Sequence, residues 1–410
     1  MIELDLIQTL AFGGAVLLAG YGLRRVVPIL ARYNLPAPVI GGLVVAIVIL
    51  AARHQGVTVF RFDTTLQNPL MIAFFTTVGF GASVSLLRVG GPLVLRFFLI
   101  ATIFAVVQNA VGILIALPFG LHPLFGVLAG SVTLTGGPAT GLAFAPLFEE
   151  AGITGAASIA VAAAMGGIIA GGLVGGPVST LLIERYRLFR TRTPLAPGGE
   201  SIRIPEPEPD AQSTSTAEPA DEETEILPVL RNIVAILVAM WAGAWVSKGF
   251  AALGLTLPAY IGAMLVAAAL RNLDDFTGWL RLSQRFINDF GAVALSLFLV
   301  MALMTLKLWE LAGLALPLVT ILVVQVALTA LVCLWPVFQI MGRDYEAAVM
   351  SGGFNGFMLG TTANAMAVMR ALVERYGPAP TAFLVAPMVG AFFIDFTNAL
   401  IITVFLNVLA

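Results

Sequence analysis

Ten runs of mostly apolar residues, each near the length of a membrane-spanning helix, dominate the sequence. A helix crosses the bilayer core with about 20 apolar residues, and some runs reach that length only with their flanking residues. The pattern predicts an all-α polytopic membrane protein. The predicted spans cover residues 7–21, 38–52, 70–87, 92–119, 158–183, 230–246, 258–270, 287–306, 314–341 and 381–408.

Charged residues concentrate in one segment between the fifth and sixth spans. Of the 44 charged residues, 16 lie between Glu184 and Arg231. The rest of the chain is too poor in charge for a soluble globular protein, and a net charge of -2 without a basic cluster argues against nucleic-acid binding. Residues 184–228 are rich in Pro, Glu, Ser and Thr and are predicted to form a disordered cytoplasmic linker between two halves, 1–183 and 229–410.

Each half also contains an apolar segment, broken by Gly and small residues, that is too short to cross the membrane twice. These segments, 123–148 and 346–372, are either re-entrant hairpins or single broken spans. Lys and Arg favour the cytoplasmic ends of spans. Two hairpins place 17 of the 21 Lys and Arg on the side of the linker, whereas two crossings divide them 12 to 9 at best. Hairpins are therefore predicted, with both termini outside.

Because each half has an odd number of spans, five, the two halves have opposite orientations in the membrane. Any similarity between them is therefore an inverted repeat. Four matches recur in the same order with an offset of 217 to 223 residues. They include Leu35-Pro36-Ala37 with Leu257-Pro258-Ala259, and Gln108 with Gln325. The sequence therefore predicts two inverted-topology repeats whose hairpins enter the membrane from opposite sides.

The hairpin tips read SVTLTGGPATG over residues 131–141 and SGGFNGFMLGTTAN over 351–364. Backbone that is not helical must line a cavity or be buried in protein at membrane depth. Broken helices present N–H groups to anions and free carbonyls to cations. Two such tips would form one site for an anionic solute and sodium. The glycines over 166–176 are interpreted instead as helix-packing positions.

Asp395 is the only carboxylate deep in a predicted span. A buried carboxylate is costly unless it is paired, so it normally marks a transport pathway or a coupling ion. Asn398 shares its helix face at i+3. For the deep amides of Gln108, Asn109 and Gln325, helix-to-helix hydrogen bonding and substrate contact are equally supported.

Four runs resemble the bacterial sodium/glutamate symporters: TGG at 135–137, GFMLG at 356–360, SLFLVMALMTLKLWEL at 296–311, and APMVGAFFID at 386–395 followed by NAL at 398–400. The resemblance covers nearly all of the chain outside the linker. It implies a multi-pass homodimer of the bacterial inner membrane, with ten spans and two re-entrant hairpins, that imports glutamate or a related acidic amino acid with Na+. It also implies an elevator, in which a transport domain carries the hairpins past a dimeric scaffold.

The resemblance and the tip chemistry together define a candidate site without catalytic residues and without a metal other than sodium. The substrate is expected to bind Thr135, Gly136, Gly137, Thr140, Gly360, Thr361, Thr362 and Asn364. Sodium or another coupling ion is expected to bind Ser131, Thr133, Asn355, Gly356, Asp395 and Asn398. No Lys or Arg lies deep in a span, so sodium and backbone dipoles would have to offset the charge of the substrate.

The chain departs from the family pattern at the tips themselves. Where the family continues from the glycine pair with His-Gly-Thr-Gly, this chain has Pro138-Ala139-Thr140-Gly141, and Met358, Ala363 and Asn364 replace Gly, Pro and Thr. These changes bear on the substrate and the number of ions rather than on the fold. Two alternatives stay open: a proton-coupled carboxylate transporter with Asp395 as the proton carrier, and a channel.

Overall fold

The computed structural model describes residues 2–56, 60–188, 222–252, 257–311 and 313–409, and this part of the chain is almost entirely helical. Its α-helices are α1 (Leu6–Val26), α2 (Pro28–Arg32), α3 (Ala37–His54), α4 (Gln67–Phe80), α5 (Val84–Ala116), α6 (Pro123–Val127), α7 (Gly137–Glu150), α8 (Ala156–Arg185), α9 (Glu222–Ala252), α10 (Ala259–Thr277), α11 (Gln284–Met304), α12 (Ala315–Val332), α13 (Phe338–Ile340), α14 (Tyr345–Met358), α15 (Thr362–Tyr376), α16 (Pro380–Met388) and α17 (Ile394–Leu409).

Shorter elements complete the described part. Two short strands, β1 (Ile2–Leu4) and β2 (Phe60–Phe62), pair in parallel. The 3-10 segments are Leu117–Phe119 and Leu308–Leu311, and the π-helical segments are Leu128–Val132, Cys333–Val337 and Val389–Phe393.

The long helices pack in two groups. The first helix group consists of α1, α3, α4, α9, α10 and α11, and the second consists of α5 to α8, α12 and α14 to α17. Within each group the helices contact mainly one another, for example α4 with α10 and α11, or α8 with α7 and α14. Along the chain, the helices change from one group to the other between α4 and α5, between α8 and α9, and between α11 and α12.

Among the described helices, seven are long and apolar enough to span a membrane. They correspond to α1, α3, α5, α8, α9, α11 and α12. The three remaining predicted spans are helical as well, but α4 has only 14 residues, α10 carries three charged residues, and a π-helical segment separates α16 from α17. The fold is thus confirmed as an all-α multi-pass membrane protein, while the number of ten spans stays a prediction.

Glycines allow a close crossing of α1 and α3 in the first group. A Cβ atom on Gly20 of α1 would collide with the carbonyl oxygen of Ala37, and one on Gly41 of α3 would collide with the carbonyl oxygen of Val16. The two backbones can approach this closely only because both positions lack a side chain. The crossing places Gly20, about one turn before Arg24, beside the first residue of α3.

The two broken segments fold as helix, break and helix. In hairpin 1 (residues 123–150) the first arm ends at Val132, α7 begins at Gly137 with a φ of 69°, and a Cβ on Gly141 would lie 3.1 Å from Thr133 Cγ2. In hairpin 2 (residues 345–376) α14 and α15 pack side by side. The break divides each segment into two helical arms, and the re-entrant course of the two segments stays a prediction.

The predicted linker, 184–228, is described only at its ends. There α8 ends at Arg185 and α9 begins at Glu222. Residues 189–221 lie outside the described part of the chain.

Candidate substrate and ion site

A cavity of about 410 Å³ lies between the two helix groups, where both hairpin tips meet α1, α3, α4 and α11. Ligand pockets commonly measure about 300–1,000 Å³, so the cavity has the size of a small-molecule site. The first group contributes Tyr21, Arg24, Pro36, Ala37, Pro38, Phe74, Phe75, Ala292, Leu295, Ser296 and Leu299. The second contributes Thr135, Gly136, Pro138, Ala139, Thr140, Phe357, Gly360, Thr361, Thr362, Ala363 and Asp395.

Half of the residues singled out from the sequence line this one cavity. They are Thr135, Gly136, Thr140, Gly360, Thr361, Thr362 and Asp395. Gly137 lies where the tips touch, because a Cβ there would be 3.3 Å from Thr361 Cγ2 and 3.4 Å from the carbonyl oxygen of Gly360. The tips of the two hairpins are therefore neighbours.

Gln108 of α5 joins the two tips. Its side-chain nitrogen donates to the carbonyl of Met358 at 2.8 Å, and its side-chain oxygen accepts from the Thr135 hydroxyl at 2.6 Å. Gln325 of α12 donates to the backbone carbonyl of Gln108 at 2.6 Å. All of these groups are buried, so each hydrogen bond also avoids the cost of an unpaired polar group. The amides of Gln108 and Gln325 thus bond helix to helix in this structure.

A cluster of polar atoms lies behind the first tip, where α17 contacts hairpin 1. Asn398 Nδ2 donates to the Ser131 carbonyl at 2.9 Å, and the Ser131 N–H donates to Asn109 Oδ1 at 2.8 Å. Ser131 Oγ and Asn398 Oδ1 are fully buried and have no hydrogen-bond partner among the described residues. Buried oxygens without a donor are costly unless a cation or water contacts them.

A second cluster lies inside hairpin 2. Asn364 donates from Nδ2 to the carbonyls of Ile168 at 3.1 Å and of Gly356 at 3.3 Å. Its Oδ1 has no partner in the described structure. Asn364 and Asn355 are both fully buried, so neither is among the residues that line the cavity.

Thr133 differs from the other residues expected at the ion site. Its hydroxyl donates to the carbonyl of Leu128 at 2.8 Å, within the first arm of hairpin 1. This bond occupies the proton but leaves lone pairs of the hydroxyl oxygen available.

The N-terminus of α7 faces the cavity and can offer the N–H groups of Gly137 and Ala139, because Pro138 has no N–H and the Gly136 N–H donates to the Ser131 carbonyl. The first N–H groups of an α-helix have no acceptor within the helix, and the residue that precedes α7, Gly136, has no side chain to cap them. Ala139 and Thr140, in the first turn, line the cavity. The helix dipole and these N–H groups favour an anion at this position.

The model of the family described as Sodium/glutamate symporter matches residues 2–378. A sodium/glutamate symporter of Escherichia coli is 41% identical over 408 residues, which cover 99% of this chain and 98% of that protein. One of Haemophilus influenzae is 38% identical over 398 residues, 97% of this chain and 96% of that protein. The chain belongs to the sodium/glutamate symporter family. The resemblance seen in the sequence runs is thereby confirmed, and the family is one of transporters rather than enzymes.

In this member of the sodium/glutamate symporter family, the first helix group contributes to the site in a way that no sequence pattern indicated. Residues of α1, α3, α4 and α11 supply half of the cavity wall. Pro36 and Ala37 were noted only as part of an internal repeat, and their position beside the site could not be read from that pattern. Arg24 was assigned to the cytoplasmic side by the charge distribution, and no Lys or Arg was expected near the substrate. The structure places Arg24 in the cavity wall.

Proposed function

We propose that the chain is a sodium-coupled secondary active transporter that imports glutamate or a closely related acidic amino acid by alternating access. The observation that carries the proposal is the cavity in which both hairpin tips, an uncapped helix N-terminus and Asp395 come together. Membership of the sodium/glutamate symporter family supports the choice of ion and substrate.

The substrate would bind on the side of the cavity formed by the tips. One carboxylate would accept hydrogen bonds from the N–H groups of Gly137 and Ala139 in the first turn of α7 and from the hydroxyl of Thr140, while the hydroxyl of Thr135 donates to Gln108. The hydroxyls of Thr361 and Thr362 would contact the substrate from hairpin 2. Gln108 would hold the two sets of groups in register, because it bonds to both tips.

Sodium would bind oxygen atoms close to the tips. The unpaired Ser131 Oγ and Asn398 Oδ1 are neutral oxygens beside α17, and Asp395 lies one helical turn before Asn398. Hard cations prefer such oxygen ligands. In hairpin 2, Asn355, Gly356 and Asn364 would offer further oxygen atoms to a sodium ion.

In the transport cycle, one helix group would stay in place while the other moves. The first group would be the scaffold of a homodimer in the bacterial inner membrane, and the second would carry the re-entrant hairpins as an elevator. The separation of the helices into two packed groups, with the cavity between them, supports this division. The ten-span topology, the inverted repeats and the external termini belong to the same proposal and rest on the sequence.

Uptake of labelled L-glutamate into proteoliposomes tests the function. With pH held equal on both sides, an inward sodium gradient should drive accumulation, and replacing sodium with choline should remove it. Accumulation driven only by a proton gradient would favour the proton-coupled alternative. Unlabelled glutamate inside the vesicles should drive uptake of labelled glutamate by counterflow even without an ion gradient. This result would exclude a channel, since a channel does not exchange one bound solute for another.

A further inference from the structure

Arg24 brings a positive charge into the cavity from the first helix group. It lies in the last turn of α1, and its side chain lines the cavity together with Thr135, Thr361 and Asp395 of the second group. The glycine-dependent crossing of α1 and α3 sets this position, because it places Gly20, about one turn before Arg24, beside the first residue of α3. The position of Arg24 in the cavity wall thus depends on how α1 packs against α3.

The guanidinium of Arg24 has no partner among the described residues. Three arginines with described side chains are partly buried: Arg24, Arg231 and Arg271. Arg271 pairs with Asp275 at 3.0 Å and donates to Gln284 at 2.9 Å, and Arg231 donates to the Leu280 carbonyl at 3.3 Å. Arg24 makes neither kind of contact within the described chain, although it too has lost part of its hydration.

A partly buried guanidinium is stabilised by an anion that can accept several of its five N–H donors, and a carboxylate suits its geometry. Asp395 is the one carboxylate among the residues that line the cavity, and it forms no ion pair with Arg24. The cavity between the two side chains is large enough for a small acid. The missing partner of Arg24 is therefore expected to be a ligand.

We propose that Arg24 binds one of the two carboxylates of the acidic substrate. The proposal rests on the proposed function and adds to it a binding residue outside the hairpins. Asp395 and the tips belong to the second helix group, so Arg24 can reach the substrate only while that group stands as it does in this structure. The contact of Arg24 with the substrate accordingly belongs to one conformational state.

Three variants of the full-length chain test the assignment: Arg24→Gln, Arg24→Lys and, as a matched control, Arg25→Gln. Arg25 is the next residue of the same helix turn, but it is exposed and does not line the cavity. Binding is measured by isothermal titration calorimetry in detergent with saturating sodium, where both faces of the protein are accessible. The ligands are L-glutamate, L-glutamine, which lacks the side-chain carboxylate, and L-isoglutamine, which lacks the α-carboxylate.

Arg24→Gln should raise the Kd for glutamate by about 10-fold or more, as expected when a charged hydrogen bond is lost. Arg24→Gln should weaken the binding of only one of the two amides, L-glutamine or L-isoglutamine. The amide whose Kd does not change lacks the carboxylate that Arg24 binds. Arg24→Lys should recover part of the affinity because the charge remains without the forked geometry. Arg25→Gln should stay within about twofold of the wild type, as surface charges contribute little.

Equal weakening of all three ligands by Arg24→Gln, or no weakening at all, would overturn the assignment, as would the same loss in Arg25→Gln. The melting temperature without ligand shows whether a variant is folded. If Arg24→Gln does not fold, the same comparison of the three ligands is made with Arg24→Lys. A wild-type protein that binds none of the three ligands in sodium would remove the proposed function itself. Normal wild-type binding with an unaffected Arg24→Gln would remove only the role of Arg24.

Discussion

Asp395 is the acidic residue among those that line the cavity, and it lies on the helix that also carries Asn398. We expect Asp395→Asn to raise the half-saturating sodium concentration for uptake by about 10- to 100-fold. The magnitude follows by analogy with hydrogen bonds to charged groups, which contribute about 1.5–3 kcal/mol, and each 1.4 kcal/mol corresponds to about tenfold. Proteoliposome uptake as a function of sodium measures this.

The matched control for that change is Asp289→Asn, which removes an exposed carboxylate from α11 outside the cavity. It should leave the sodium dependence unchanged. If Asp395→Asn retains the wild-type sodium dependence, Asp395 does not take part in ion coupling. If uptake by Asp395→Asn instead loses its response to a proton gradient while sodium has no effect on either protein, the proton-coupled alternative is favoured.

Gln108 shows how one buried amide can order a site that it does not line. In Gln108→Leu, the Met358 carbonyl and the Thr135 hydroxyl would lose their partners at about 1–3 kcal/mol each. We therefore expect both a lower melting temperature and a weaker affinity for glutamate. Calorimetric titration combined with thermal unfolding separates the two effects.

Gln325→Leu serves as the comparison for Gln108→Leu. Gln325 bonds to the backbone of Gln108 but to neither tip. It should therefore lower the melting temperature while the affinity of the folded protein for glutamate stays close to that of the wild type. Equal losses of affinity in the two variants would show that Gln108 acts only through general stability.

At the scale of elements, one face of α8 supports both hairpins. A Cβ on Gly167 would lie 2.5 Å from the carbonyl oxygen of Leu359 and 2.6 Å from Leu134 Cδ2, one atom from each tip. Both distances are shorter than real Cβ contacts, so the tips would have to move. We expect Gly167→Ala to cost about 1–3 kcal/mol through overpacking and to weaken glutamate binding.

The same helix offers the control. A Cβ on Gly176 would meet nothing within 4 Å outside its chain neighbours, so Gly176→Ala should leave stability within about 1 kcal/mol of the wild type, because the better helix propensity of Ala is offset by crowding against Pro177. Thermal unfolding and glutamate titration of both variants check the pair. Gly167→Ala with unchanged melting temperature and affinity would mean that the tips do not depend on this contact.

At the scale of the whole molecule, the features that could be predicted from the sequence are those that depend on residues close together in the chain. Apolar runs of sufficient length predicted the helices, and Gly with hydroxyl residues at 131–141 and 351–364 predicted where the two hairpins break. The crossing of α1 on α3 and the reach of Gln108 to both tips depend on how distant helices pack. No residue pattern near Arg24 or Gln108 carries that information, so their places at the site required the structure.

The division into two helix groups leads to a test of the elevator. Phe144 of α7 and Tyr260 of α10 belong to different groups, and their ring centroids are 6.1 Å apart. In a Cys333→Ala background, which removes the single native cysteine, cysteines at these two positions are joined with a short, cleavable thiol reagent. If the second group moves past the first, cross-linking should abolish sodium-driven uptake, and cleavage of the linker should restore it.

A pair within the second group supplies the control for this experiment. Phe97 of α5 and Phe354 of α14 have ring centroids 5.5 Å apart, and a linker between them spans no group boundary. Uptake should therefore survive cross-linking at 97 and 354, because both positions would travel together. Full uptake by the cross-linked 144 and 260 pair would contradict a rigid-body movement between the groups. In that event alternating access would have to come from motions of the hairpin tips alone, with α7 and α10 remaining in contact throughout the cycle.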